Sequence, residues 1–496
     1  MSQMIIQSTD TPLLSAPARI SYFIFAYSVS VFLAFALFSS KLVNPVWGIP
    51  LIGIGLILLH FSASRNRKFY APVILTAFYF LGFILSFGAL LLSKNPLTFS
   101  VREIGNFKFT EAQMLTVTLM AVAGMMGVLI SAFVAEVVGG RFKLFTVSAQ
   151  NKDAILNLRA FNYWSWAWFF CSFGIILASW QFGVGRTCMK DATLLPWKMT
   201  GIIQYMKMIG MPLSGALLFD LALKSERKTE AVKVLLFSLC IGIAGSVVFL
   251  SRSFLLFMLM PLLLTLFVAY WTDIGKRKLL IFFVLVTVIS ILTTAYLVSA
   301  IRMEIFTSAN LDFYKRASSL NSAPSRTLLP DTLGINAPQV APLFFELATD
   351  RIGGIKKLMA TIGADVNNVY APLAIFITDN AYLRQLHFRV YNLGTTNDVN
   401  IVAGDNYNCI GALALSGNAF IVFCGMLLFT LVIIAGEALY SGSVNPVAHL
   451  TISLLLALNV WDVNIYWTML WRIFATILAI SLLSRFVSAK VLHANK

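Results

Sequence analysis

At 496 residues, 59% of them hydrophobic, 13% aromatic and only 12% charged, the chain excludes an ordinary soluble globular protein, in which about a quarter of residues are charged. The formal net charge of +16, from 37 Lys and Arg against 21 Asp and Glu, calls for no nucleic-acid partner, because membrane topology and attraction to anionic membrane lipids account for it. Five cysteines without a CxxC spacing and four scattered histidines without an HExxH pattern predict no metal and no cofactor.

In chain order, apolar runs long enough to span a bilayer fall at 18–39, 43–61, 70–92, 112–137, 161–182, 199–222, 232–250, 254–272, 279–300, 411–438, 446–462 and 466–486. They predict an all-α polytopic membrane protein of about 12 transmembrane helices. The first run follows Arg19 and lacks a small-x-small cleavage site, so it reads as a retained signal-anchor. The domain reading is a nine-helix region over 1–300, a large loop over 301–410 and a three-helix region over 411–496. With the N-terminus inside, 17 Lys and Arg fall in the inner segments and 8 in the short outer loops, which makes both termini cytoplasmic.

Val234–Trp271 holds 38 residues and one charge, Arg252. A single helix of that length would be roughly 57 Å long, nearly twice the bilayer core, so the stretch reads as two spans. A turn at Leu250-Ser251-Arg252-Ser253 then puts the guanidinium at the outer surface instead of at mid-bilayer. Two further cations lie inside predicted spans, Lys207 and Arg472; each either serves a site or snorkels to the surface, with Asp462 an alternative partner.

Between the ninth and tenth spans, residues 302–410 form a 109-residue outer loop with nine acidic and nine basic residues. Loops of that length are uncommon unless they are functional or disordered. The proline-rich stretch from Ser319 predicts an extended segment. "PLFFELATDRIGGIKKLMATIG", ending at Gly363, then spaces apolar residues on one helical face, as expected of a helix lying on the membrane surface. Phe344 and Phe345 would dip into lipid, Lys356 and Lys357 would face headgroups, and Gly353-Gly354 would permit a kink. Cys188 and Cys409 both lie on the outer side by this topology, and whether they pair is open.

Arg186, Lys207, Arg252, Arg302, Arg351 and Arg472 thus collect positive charge near one leaflet, the pattern expected of a site for an anion held at the interface. A pyrophosphate on a polyprenyl chain fits, because its tail stays in lipid while its phosphates need cationic partners. The chain has no P-loop or GxGxxG motif.

The span plan, "FLSRS" at 249–253, "FELATDRIGGIKKLMATIG" at 345–363 and "DNYNCIGALALSGNAFIVFCGML" at 405–427 resemble the Wzy-type O-antigen and oligosaccharide repeat-unit polymerases. The resemblance implies a GT-C-like glycosyltransferase of the bacterial inner membrane, independent of metal. It would transfer a growing glycan from undecaprenyl pyrophosphate to another lipid-linked repeat unit on the periplasmic face. Its partners would be the lipid-linked oligosaccharide, membrane lipids and a candidate chain-length-regulating co-polymerase. Related ligases place a histidine with Asn near the end of the large loop; here Asp405-Asn406 has none, which favours polymerase over ligase. The RxxxxxxxxxxG pattern of some polymerases is also absent, since Gly363 lies one residue too far from Arg351. Arg252, Arg302, Arg351 and Arg472, aided by Lys207 and Arg186, would stabilise the departing pyrophosphate, and Asp350, Asp405 or Glu304 would accept the proton. A polytopic carrier or flippase is the alternative of another class. No internal repeat of two six-span halves supports it.

Overall fold

In lipid, backbone N–H and C=O groups find partners only within the chain, so long apolar runs must become helices, and the described chain is almost wholly helical. The computed structural model describes residues 16–40, 43–65, 69–92, 104, 106–141, 155–156, 158–184, 199, 202–203, 206–225, 227–251, 254–270, 278, 281–291, 293–294, 297–298, 301, 354–364, 368–372, 407–441, 453–457, 462–463 and 492–493. The helices are α1 (Ala16–Ser39), α2 (Gly48–His60), α3 (Ala71–Tyr79), α4 (Ser86–Leu92), α5 (Glu111–Arg141), α6 (Leu158–Phe182), α7 (Met211–Lys224), α8 (Lys228–Val248), α9 (Phe254–Tyr270), α10 (Ile281–Ile291), α11 (Ile355–Gly363), α12 (Cys409–Ala414) and α13 (Ala419–Ser441). Two antiparallel pairs of two-residue strands complete them: β1 (Ile155–Leu156) with β4 (Leu492–His493), and β2 (Tyr407–Asn408) with β3 (Asp462–Val463).

Among the described residues, six stretches are long and apolar enough to cross a membrane: Ala18–Ser39, Pro45–Ser64, Ala71–Leu92, Glu111–Val137, Lys228–Val248 and Ala419–Glu437. Shorter apolar helices occupy Met211–Leu223, Phe254–Leu266 and Ile281–Ile291. In α1, Ala18, Tyr22, Ala26, Val29, Leu33 and Leu37 recur on the buried face, yet Ile20, Ile24, Val31, Phe35 and Phe38 on the other face are exposed. A helix in water would carry polar residues there; an apolar outer face is suited to lipid.

The spans are tied by buried polar groups and by small residues. The Tyr22 hydroxyl donates to Val73 O (2.8 Å) and the Tyr79 hydroxyl to Leu51 O (2.9 Å). Between α5 and α13, Ser131 Oγ lies 2.7 Å from Gly127 O and 2.8 Å from Leu427 O. A Cβ at Gly127 would stand 2.6 Å from Phe423 O and 2.9 Å from Leu427 N, so the two backbones meet where glycine allows it. Four residues along α5, from Gly127 to Ser131, correspond to four along α13, from Phe423 to Leu427, so the two helices run the same way. In the span order expected from the sequence they are the fourth and the tenth, which likewise share a direction. Gly127→Val is expected to pry them apart and lower thermal stability in detergent by about 1–3 kcal/mol.

Helices α6 and α8 are also parallel. Lys233 Nζ donates to Asn162 Oδ1 at one level, and the rings of Trp166 and Phe237 meet at a tilt with centroids 4.7 Å apart one turn on. Helix α7 wedges against both, its Gly215 close to Trp168 Cζ2 and Ser238 Oγ.

Three sequence expectations change. The run at 411–438 is not one span: Gly417, at φ 68°, ends α12 in a backbone region that glycine enters freely, and Asn418 restarts the chain as α13. The Asn418 side chain accepts from Phe420 N (2.8 Å) as an N-cap, and Ser416 Oγ accepts from Asn418 N (3.2 Å). The run at 199–222 contains a π-helical turn, Met206–Gly210, before α7 begins with Pro212 in its first turn. The helix expected on the membrane surface instead starts at Ile355 and is seated inside the protein, as described below. Phe344 and Phe345 lie outside the described residues.

Candidate functional site

The turn between α8 and α9 is built from residues that cannot continue a helix without losing hydrogen bonds they make in the turn. Leu250 adopts φ 50°; its N–H donates to Val247 O (3.2 Å) and that of Ser251 to Ser246 O (2.9 Å), closing the helix end. Glycine usually fills this left-handed position, where another residue costs about 1–2 kcal/mol. The Leu250 side chain is buried, and that burial offsets the strain. Ser246 closes the turn a second time, its Oγ accepting from Leu255 N (3.1 Å), while Phe254 N donates to Ser251 O (3.2 Å).

This turn fixes the fully buried Phe249, whose ring packs edge-on against Phe254 with centroids 5.2 Å apart. Over the Phe249 ring stands Lys207, its Nζ 4.3 Å from the centroid. Lys207 is 6% exposed and belongs to the π-helical turn Met206–Gly210, where the extra residue resets which way side chains point. Ser251 is buried at the same turn. The π-helical turn and the α8–α9 turn thus bring a buried ammonium onto an aromatic face.

Of the nine site residues expected from sequence, Lys207 is the one the structure describes. Arg186, Arg252, Arg302, Glu304, Asp350, Arg351, Asp405 and Arg472 lie outside the described residues. Lys207 is brought to the turn whose sequence continues into Arg252. Asp462, its alternative partner, has its backbone paired with Asn408.

A second constellation comes from the large loop. Helix α11 buries Ile355, Leu358, Met359, Ala360 and Thr361, and packs on α12, α5 and α4. A Cβ at Gly354 would overlap the Gly82 carbonyl within the π-helical turn Phe80–Leu85, and one at Gly363 would stand 2.5 Å from Phe107 N. Gly82 lies ten residues before Leu92, so α11 begins about 15 Å down the length of that span and rises to the 106–107 segment. Its apolar face is covered by protein, with a Gly–Gly contact at its start, and this is the physical reason that a placement with that face in lipid fails. Lys356 and Lys357 are half-buried on it.

Helix α12 is wholly buried against α11, and Asn368 N donates to Leu415 O (3.0 Å), tying the 368–372 segment to the turn that follows α12. Asp350 and Arg351 precede Gly354 in the chain and Asp405 precedes Tyr407, so two candidate segments lead into elements that pack together. Cys409 is a buried free thiol in α12, and Cys188 lies outside the described residues.

Sequence reasoning missed Phe249, for which an apolar run gives no signal, and two buried acids, Asp220 and Glu437. Asp220 lies 13 residues beyond Lys207, roughly 20 Å along the helix, and so belongs to another level of the bundle. Glu437 is engaged elsewhere: it accepts from Tyr70 N and, at 3.0 Å, from Ala71 N, at the start of α3. Among the described residues, no group of His, Cys, Asp and Glu is placed to hold a metal. Comparison with protein-family models, with curated proteins and with solved structures gives no match.

Proposed function

We propose that the chain is an integral-membrane glycosyltransferase. It transfers a growing oligosaccharide from undecaprenyl pyrophosphate to another lipid-linked repeat unit at the periplasmic face of the bacterial inner membrane. The observation that carries this reading is Lys207, a cation buried in an apolar bundle on the Phe249 ring at the turn leading to Arg252. An intramembrane cation marks a ligand path by default, and here it would meet the pyrophosphate of a lipid whose tail remains in the bilayer.

In the proposed reaction the acceptor hydroxyl oxygen bonds to the anomeric carbon of the donor glycan as the bond from that carbon to the pyrophosphate oxygen breaks. The electron pair leaves with undecaprenyl pyrophosphate, whose growing charge Lys207, Arg252 and the other cations stabilise. The acceptor proton passes to a carboxylate, drawn from Asp350, Asp405 and Glu304.

Reconstitution with a lipid-linked repeat unit supplied on one side of the membrane tests the reading. Longer glycan on the polyprenyl carrier supports it; movement of unaltered substrate identifies a carrier, and product on lipid A core identifies a ligase. Arg252→Ala is expected to abolish polymer formation while the protein still inserts, and Arg252→Lys to stay strongly impaired, because it loses the bidentate fork. A fully active alanine variant would remove the residue from the site. Cysteine reporters at residue 330 should be labelled from outside, and those at 66, 226 and 277 should be protected.

A further inference from the structure

Arg19 enters a span with its charge unmatched. It is the second residue of the apolar stretch Ala18–Ser39, its side chain is half-buried, and the first turn of α1 holds no acidic residue. Its Nε is shielded from solvent yet has no hydrogen-bond partner among the described residues. An arginine that only snorkels would hold Nε in the open at the headgroup plane; a buried, unmade donor on a cation is costly, and it fits an acceptor that comes from outside the chain. Residues four apart share a row on a helix, and the row of Arg19 continues into the span with Phe23 and Tyr27, whose rings stack with centroids 6.1 Å apart. Beside that row Ile20 and Ile24 face outward, 59% and 62% exposed, as does Tyr27. The cation therefore stands at the head of a strip of aromatic and aliphatic surface on the outer face of α1.

We infer that Arg19 heads a binding site for an anionic phospholipid: the phosphate is received side-on by Nε–H and a neighbouring Nη–H, and one acyl chain lies along Phe23, Ile24 and Tyr27. The side-on fork lets a guanidinium pair with two oxygens of one phosphate, and it uses the Nε–H that the protein leaves unpartnered. A phosphodiester carries one negative charge, which one arginine matches, whereas a pyrophosphate carries more. A headgroup without an ammonium brings no second cation beside the guanidinium, which favours phosphatidylglycerol over phosphatidylcholine. The apolar strip selects a lipid over a free phosphate, because only the lipid covers Ile24 and Tyr27. The inference stands apart from the function proposed above.

The experiment uses the full-length protein, delipidated in detergent, with three probes: phosphatidylglycerol, phosphatidylcholine of the same chains, and inorganic phosphate. Native mass spectrometry reads the lipid retained, and thermal unfolding reads its effect. Phosphatidylglycerol is expected to be retained and to raise Tm more than phosphatidylcholine does. Other basic residues attract the same lipid, so the deciding quantity is the difference between wild type and Arg19→Gln, in which affinity should fall about tenfold with the lipid-free Tm unchanged. Arg19→Lys should fall nearly as far, since it keeps the charge and loses the fork; it decides the matter if the glutamine variant proves unstable. Tyr27→Ala, at an exposed position, should lose a smaller part of the affinity. Equal retention by wild type and both Arg19 variants would overturn the inference. Inorganic phosphate that displaces phosphatidylglycerol at equal concentration would show a free-anion site and overturn the lipid assignment.

Discussion

Alanine at Gly354 should unseat helix α11. The added carbon would occupy the space of the Gly82 carbonyl, and a backbone group inside a span cannot swing aside as a flexible side chain can. Either α11 withdraws or the π-helical turn of the third span deforms, and both expose apolar surface that is now covered. A loss of about 1–3 kcal/mol is the ordinary scale for such overpacking, and withdrawal of the whole helix would exceed it. Met359 is fully buried on α11, so a cysteine placed there should pass from protected to labelled when Gly354→Ala is added. Continued protection at 359 with unchanged activity would show that the close approach is not needed. Because the candidate segments around Asp350 and Asp405 lead into α11 and β2, the same variant is expected to lose glycan polymerisation while inserting normally.

Removing the Glu437 carboxylate should cost more stability than an ordinary single substitution. Its two oxygens receive the N–H groups of Tyr70 and Ala71, which open α3 and have no helical partner of their own. The fully buried side chain thus caps a helix 366 residues away in the chain, with the positive end of that helix balancing its charge. Glu437→Ala leaves both donors buried and unpaired, for an expected loss of about 3–5 kcal/mol in thermal unfolding and a matching drop in accumulation. Glu437→Gln should fall between, since its amide offers one acceptor and turns a donor toward the other N–H. A wild-type melting temperature for the alanine variant would show that water or another group replaces the carboxylate.

The sequence was most legible where composition alone decides. The hairpin turn after Val248 follows from the length of a run too long for one bilayer, and the structure breaks the helix there, with Leu250 in the left-handed region. The restart at Asn418 was written in Ser416-Gly417-Asn418, but a polar triplet inside an apolar run is easily taken for part of the span. The seat of α11 could not be read. Gly353-Gly354 suggests a kink when only its own helix is considered, whereas the need for glycine at 354 comes from Gly82, far off in the chain. Glu437 was hidden for the same reason: an acid at the end of a span reads as a surface charge until its partners at 70 and 71 are known. For the candidate site, the presence of Lys207 in a span was visible, and its orientation was not, because an aromatic partner among so many phenylalanines carries no signature.

The pairing of α5 with α13 has a consequence for how the protein is made. Ser131 and Leu427 are 296 residues apart. At an elongation rate of about 5–20 residues per second, the ribosome takes about 15–60 s to deliver the partner after α5 has entered the membrane. Throughout that interval the Gly127–Ser131 groove must wait beside lipid, the translocation machinery or α2, which already packs on α5. Insertion of α13 into the existing bundle therefore comes late, and the carboxylate of Glu437, arriving at the end of that helix, locks α3 only then. Chains released before residue 427 would hold most of their spans and still lack both fastenings.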